Sequence, residues 1–423
     1  MLHLIEMRQR ILTLLLLVFG FMMLFAEKYQ SGSNHPFINP TPGEITIMAC
    51  TPIPHGLKST RKDYEDLIEC GFNLGTEALS MDQYEREFEI IGDLDFKYMI
   101  YSSFFFSDKM NEVVKRFQNN PYVGGWSFKD EPNYADLKKV KFYYDKLYES
   151  GGSKLIFMNL LGGLSSKGTG PAKSYLDYLK VIQKNFKPEV WSFDLYPVFL
   201  RNGKIDIAYD IFFEDLEAMH AMSKMTDRPF WFFCQSMAFR VPAFERPAAT
   251  EAYLRFANFS ALAYGAQGIL YWTYGMRNSN ESETYLSALV NLDGKKTPAW
   301  YAAKKVNAEI KKFNDIFYQS NILEVKHTGS KVYRTTKKLS GKFGPFKKIS
   351  SSKAGVLLSR IENNGKNYIM IVNHDPLAKQ KVMLKLADGK RVIDMTNNNR
   401  EYGSDDYFSI LLDKGGYAIF REI

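Results

Sequence analysis

Gly124-Gly125-Trp126-Ser127-Phe128-Lys129-Asp130-Glu131-Pro132 decides how the chain is read. An extended, half-aromatic run ends abruptly in two acids and a proline. Proline lacks a donor N–H and biases the residue before it away from the helical region, so the run stops there. The helical pattern over 133–149 begins only afterwards. The two carboxylates therefore sit at a strand end, not on the wet face of a helix. Side chains alternate along a strand. Trp126 and Phe128 take one face, and Gly125, Ser127, Lys129 and Glu131 take the other. On that parity Glu131 points inward, while Asp130 points outward and reads as a cap for the next helix.

The same punctuation recurs on both sides of this stretch. Apolar extended runs at 45–54, 72–79, 97–103, 154–161, 190–198, 229–236 and 268–275 alternate with helical patterns. The helices fall at 61–70, up to 91, 108–118, 133–149, 171–186, 207–226, 247–264 and 298–320, with Gly, Pro or Asp where helices start and stop. Strict alternation implies a parallel sheet, and eight units imply a closed (β/α)8 barrel. An open doubly wound sheet would carry a Gly-rich phosphate turn after its first strand. Thr51-Pro52-Ile53-Pro54-His55-Gly56 is not one. From 321 onward, short alternating runs separated by turn signals such as Asn363-Asn364-Gly365 predict a small antiparallel β-sandwich, with an exposed Lys- and Ser-rich loop at 337–353. The predicted organisation is a signal peptide or N-terminal anchor at 1–28, a linker at 29–44, the barrel at 45–320 and the sandwich at 321–423.

Composition narrows the function. The 423 residues are 45% hydrophobic and 24% charged, a globular balance. The net charge of +8 comes from dispersed basic residues, and no basic, aromatic-interleaved helix points to nucleic acid. Cys50, Cys70 and Cys234 are an odd count without metal spacing, and Cys50 and Cys234 lie in apolar runs, where buried free thiols are expected. The six histidines form no HExxH or HxH pair, and no G-x-S-x-G elbow is present; neither a metal nor a cofactor is expected. Arg8 and Arg10 precede an apolar run at 11–26, the pattern of an export signal. The body is expected to be exported, to the periplasm or cell surface of a bacterium, and an uncleaved apolar segment would be a membrane tether.

The strand ends assemble a constellation. Parity turns Ser192, Asp194 and Tyr196 inward on the sixth strand, and Asn73, Gly75 and Glu77 inward on the second. The fifth strand ends at Asn159, the seventh at Gln235, and the eighth near Trp272 and Tyr274. Buried carboxylates are costly and need a reason. Carboxylates among aromatic neighbours fit glycoside hydrolysis, in which one acid protonates the leaving oxygen. The candidate catalytic residues are Glu131, Asp194 and Glu77. Asn159, Tyr196, Gln235, Trp272 and Tyr274 are candidates for binding a carbohydrate substrate. Glu245 reads as a solvated loop charge.

On the stretches 126–132, Asp194-Leu195-Tyr196-Pro197 and 263–272, the chain resembles the clan-A glycoside hydrolases, in particular bacterial β-galactosidase-like barrels with Asp-Glu-Pro on strand four. The resemblance implies an acid/base role for Glu131 and a nucleophilic glutamate ending strand seven. That strand reads Phe230-Trp231-Phe232-Phe233-Cys234-Gln235, so an amide stands where the nucleophile is expected. Three readings stay open. Asp194 or Glu77 supplies the second carboxylate; the substrate's own acetamido group attacks; or the site binds glycans without cleaving them.

Overall fold

The computed structural model describes residues 37–163, 172–331, 333–352, 354–404 and 406–423. The expected signal or anchor at 1–28 lies outside these residues, as does most of the linker. Among the described residues, no helix is long and apolar enough to cross a membrane.

Eight parallel strands form the barrel: β1 (Thr46–Cys50), β2 (Leu74–Ala78), β3 (Lys97–Tyr101), β4 (Val123–Asp130), β5 (Leu155–Asn159), β6 (Trp191–Asp194), β9 (Phe230–Gln235) and β12 (Gly268–Trp272). Their order is β5-β4-β3-β2-β1-β12-β9-β6, and a parallel bridge between Leu160 and Phe193 joins the two ends. Helices follow the strands and begin where the sequence signals them. Ser80 caps Met81–Ile91 in a capping box with Gln83, and Thr250 accepts from the Tyr253 N–H to open Glu251–Ala263.

Side-chain alternation sorts the barrel into two cores. Trp126, Phe128, Trp191, Phe193 and Tyr271 pack outward against the helices, and Trp126 Nε1 donates to the Gly151 carbonyl at 2.9 Å. Met48, Leu74, Met99, Leu155, Phe157, Trp231, Phe233 and Leu270 fill the interior. Trp231 lies directly over Gly268, where an added Cβ would sit 2.5 Å from the indole Cδ1. The absent side chain at 268 is what lets a tryptophan occupy the barrel axis.

One feature of β4 departs from regular alternation. Ser127 pairs with Phe157 but Lys129 pairs with Met158 and Asp130 with Asn159, so two residues of β4 face one step of β5. This β-bulge reverses the parity of everything after Phe128.

Above the C-terminal ends of the barrel strands, the connections after β6, β9 and β12 build a second sheet. It comprises β7 (Val198–Arg201), β8 (Lys204–Ile207), β10 (Ala238–Val241), β11 (Phe244–Arg246) and β13 (Thr284–Ser287), in the order β13-β10-β11-β7-β8. The expected sixth strand at 190–198 is thus two strands, β6 and the start of a hairpin. Asn202 and Gly203, both at positive φ, turn that hairpin as a two-residue loop.

The sandwich follows the barrel. Its six-stranded sheet runs β14 (Asn321–His327), β16 (Val356–Asn363), β17 (Lys366–Asn373), β22 (Tyr417–Glu422), β19 (Val392–Asp394) and β20 (Arg400–Tyr402). This sheet packs on a three-stranded one of β15 (Phe346–Ser350), β18 (Gln380–Leu386) and β21 (Tyr407–Leu412). The expected exposed loop at 337–353 therefore contains a strand: Phe346 and Ile349 anchor β15 in the sandwich core, and only its lysines face water.

Gly268→Ala is expected to displace Trp231 and lower stability by about 1–3 kcal/mol, the usual range for overpacking. Urea denaturation measures this, and the loss should fall on the barrel's transition.

Candidate active site

A cavity of about 410 Å³ opens at the C-terminal end of the barrel, beneath the second sheet. Glu77, Asp130, Glu131, Asn159, Asp194, Tyr196 and Trp272 all line it. Two other predicted site residues do not. Gln235 turns its amide to the loop and donates to the Pro247 carbonyl at 2.6 Å. Tyr274 is buried in the outer core, where its hydroxyl accepts from Trp300 Nε1 at 3.1 Å; the chain has passed the rim by this point. Glu245 pairs with Arg240 at 2.6 Å on the second sheet, away from the cavity.

Asn159 organises the acids. Ser192 Oγ donates to its Oδ1 at 2.9 Å, which fixes the amide orientation. Its Nδ2 donates to Asp130 Oδ1 at 3.1 Å and to Asp194 Oδ1 at 3.0 Å. Asp130 therefore faces the cavity and caps no helix, contrary to its expected outward parity; the bulge at Phe128 turned it. Glu131 follows in the left-handed region at φ 46°, uncommon for a non-glycine residue, and its N–H donates to the Asn159 carbonyl at 3.0 Å. Tyr178 holds the next residue by donating to the Pro132 carbonyl at 3.1 Å. Glu131 is exposed as a residue, but its carboxyl is turned into the cavity and partly withdrawn from water.

Glu131 and Asp194 both line the cavity, and each acts on the ionisation of the other. Two carboxyl groups so placed resist ionising together. Burial, then the charges of Glu131 and Asp130, push Asp194 well above the usual carboxylate range, and burial followed by the Asp130 charge raises Glu131. Burial also raises Asp130, against the opposing hydrogen bond from Asn159. The pair thus retains a proton to higher pH than ordinary carboxylates would, at a site open to ligand.

Glu77 behaves differently. The inward residues of β2 are Leu74 and Thr76, because Leu74 packs in the barrel interior; Asn73 instead donates from its amide to the Ile45 carbonyl. The expected inward parity of Asn73, Gly75 and Glu77 is off by one. Glu77 reaches the cavity because it sits near the strand end, where its Oε1 accepts from the Ala78 N–H at 2.8 Å. Burial works to raise it, but the nearby His55 imidazole and the Arg277 charge outweigh that and hold it below the usual carboxylate range.

The wall opposite the acids is aromatic. Tyr196 and Trp272 meet Phe239 and Tyr285, which are cross-strand partners on β10 and β13. Burial, with a hydrogen bond to Glu283, pushes the Tyr285 hydroxyl up to about 12. Phe239, Arg277, Glu283 and Tyr285 carry no strand-end signal in the sequence. They arrive through the second sheet and the loop before β13, and only the pairing of loops into strands could have indicated them.

Asp194→Asn is expected to raise the melting temperature at pH 8 and to give no gain at pH 4. Asp194 has a folded pKa above its unfolded value of about 3.9, so its ionisation progressively costs stability as pH rises through the folded value. The neutral amide avoids that cost while retaining donors and acceptors for Glu131 and Asn159. Thermal melts across this pH range measure the difference, and a gain independent of pH would contradict it.

A family model described as β-galactosidase, glycoside hydrolase family 42, matches residues 164–313. No curated protein matches the sequence. Among solved structures, a β-galactosidase from Bacillus circulans sp. alkalophilus is 9% identical with a TM-score of 0.61, covering 91% of this chain and 100% of its own. A catalytic mutant of Gan42B, a GH42 β-galactosidase from G. stearothermophilus, is also 9% identical, with a TM-score of 0.59 and coverage of 92% and 99%. The β-galactosidase of the psychrophilic Marinomonas ef1 is 12% identical with a TM-score of 0.47; the match takes in 63% of this chain, which spans 59% of that enzyme's length. In its barrel and in its matched segment, the chain is similar to the clan-A (β/α)8 glycoside hydrolases.

Proposed function

We propose that this protein is an exported glycoside hydrolase that cleaves O-glycosidic bonds of an oligo- or polysaccharide, with Glu131 as the proton donor. The observation that carries this reading is the gathering of Glu131, Asp130 and Asp194 in one cavity with an aromatic wall, where burial and the Asp130 charge raise the Glu131 carboxyl. A raised carboxyl in reach of a leaving oxygen is the requirement for general acid catalysis. As the bond between the anomeric carbon and the leaving oxygen breaks, the electron pair stays with that oxygen, which takes the proton from Glu131. The oxygen of water then bonds to the anomeric carbon, and its surplus proton passes to a carboxylate of the cavity. Tyr196, Trp272, Phe239 and Tyr285 offer apolar ring surface against the faces of a sugar. The names of the similar enzymes make β-galactosides the first substrates to test. Export rests on the Arg8, Arg10 and 11–26 pattern.

A second reading, a glycan-binding barrel without turnover, is favoured by one feature. Gln235 ends the seventh strand with its amide committed to the loop backbone.

The experiment is hydrolysis of a panel of disaccharides that includes a β-linked galactoside. Glu131→Gln is expected to lower kcat by about a hundredfold or more, with sugar affinity by calorimetry little changed. Wild-type turnover in that variant would refute the assignment of Glu131. Binding without turnover by the native protein, across the panel, would establish the second reading.

A further inference from the structure

The cavity holds one carboxylate that its surroundings keep charged, and the loop after β12 is what surrounds it. Three consecutive residues of that loop reach Glu77, Arg277 directly and its two neighbours through His55. The Met276 carbonyl accepts from the His55 N–H at 2.9 Å. The Asn278 N–H donates to His55 Nδ1 at 3.4 Å, so the proton of the neutral ring resides on Nε2, which faces Glu77 Oε2 at 3.7 Å. Between them, Arg277 Nη1 lies 3.6 Å from the same Oε2 and donates to Thr51 Oγ1 at 2.9 Å. The guanidinium also sits 5.2 Å from the centre of the Trp272 ring, a cation–π distance. The other titratable groups around this corner are Cys50 on β1, Tyr84, whose hydroxyl donates to the Glu77 carbonyl, Tyr98 and Tyr101 on β3, and Asp130 and Tyr285 near Arg277.

We infer that Glu77 is the second carboxylate of the reaction, and that Arg277, braced on Trp272, is with His55 a positioning residue that keeps it ionised and in place. The inference rests on the glycosidase reading. A glycosidic bond breaking under protonation leaves positive charge at the anomeric carbon, and an anion fixed in advance stabilises that charge without reorganising. Asp194 suits this role less well, because burial and the Glu131 and Asp130 charges favour its neutral form. Glu77 suits it better, because a cation, an imidazole N–H and the Ala78 N–H all favour its charged form. The environments of Glu131 and Glu77 thus divide the two tasks between a proton carrier and a standing charge.

Carboxyl-carbon NMR on protein labelled at glutamate reads the Glu77 titration directly, whether or not a substrate is known. Arg277→Met is expected to raise the Glu77 midpoint by about one pH unit or more, and Arg277→Lys by less. His55→Gln should shift it in the same direction and provides the measurement should Arg277→Met fail to fold. With a hydrolysed β-galactoside, Glu77→Gln and Arg277→Met should lower kcat by about tenfold or more with little change in KM, and the acid limb of kcat for Arg277→Met should move to higher pH. An unmoved Glu77 midpoint in Arg277→Met, or wild-type turnover in Glu77→Gln, overturns the inference. Failure of Glu131→Gln to affect turnover strikes the reading of the site instead and leaves the Glu77 titration as an independent result.

Discussion

The site depends on a single amide. Asn159 ends β5 inside the barrel, oriented by Ser192, and its two N–H groups are divided between Asp130 and Asp194. Those acids belong to the strands on either side of β5, so one side chain fixes the spacing of carboxylates that would otherwise repel each other. An aspartate at this position would add a further negative charge and remove the donors. Glu131 occupies its place because Asp130 is held: its backbone donates to the Asn159 carbonyl, and its carboxyl meets the Asp194 that Asn159 restrains. The acid cluster and the strained φ at Glu131 share this origin.

Much of the architecture was legible because it rests on periodicity. Eight alternating units, the outward packing of Trp126, Phe128, Trp191 and Phe193, and the inward placement of Asp194 and Tyr196 all follow from period two in short, regular strands. The sandwich followed from its turns, with Asn364-Gly365 closing the β16–β17 hairpin at positive φ as Asn-Gly pairs do.

What was not legible has two physical causes. The first is irregularity within a strand. The bulge at Phe128 reversed Asp130, and no residue there marks it, since glycine and proline are absent from 126–130. The register of β2 is hidden in the sequence for a related reason. Gly75 has no side chain to declare a face, and its Cβ position is taken by Pro52 and Phe96 from the outer side. The second cause is that loops formed strands of their own. Once β7, β10, β11 and β13 pair, Phe239 and Tyr285 become neighbours although 46 positions separate them in the chain. Tyr274 was misplaced because the eighth strand ends at Trp272.

The second sheet also bears on how such a site can change. In most barrels of this kind, the loops that follow the strands vary separately, which lets one scaffold acquire many specificities. Here the connections after the sixth, seventh and eighth strands share one hydrogen-bonded ladder, with Glu245 opposite Leu200 and Phe239 opposite Tyr285. An insertion in any one of them must respect the register of its neighbours. The mouth of this cavity is therefore inherited as a block. Its evolution toward other ligands would favour exchanges of side chains on a retained sheet over the gain and loss of loops.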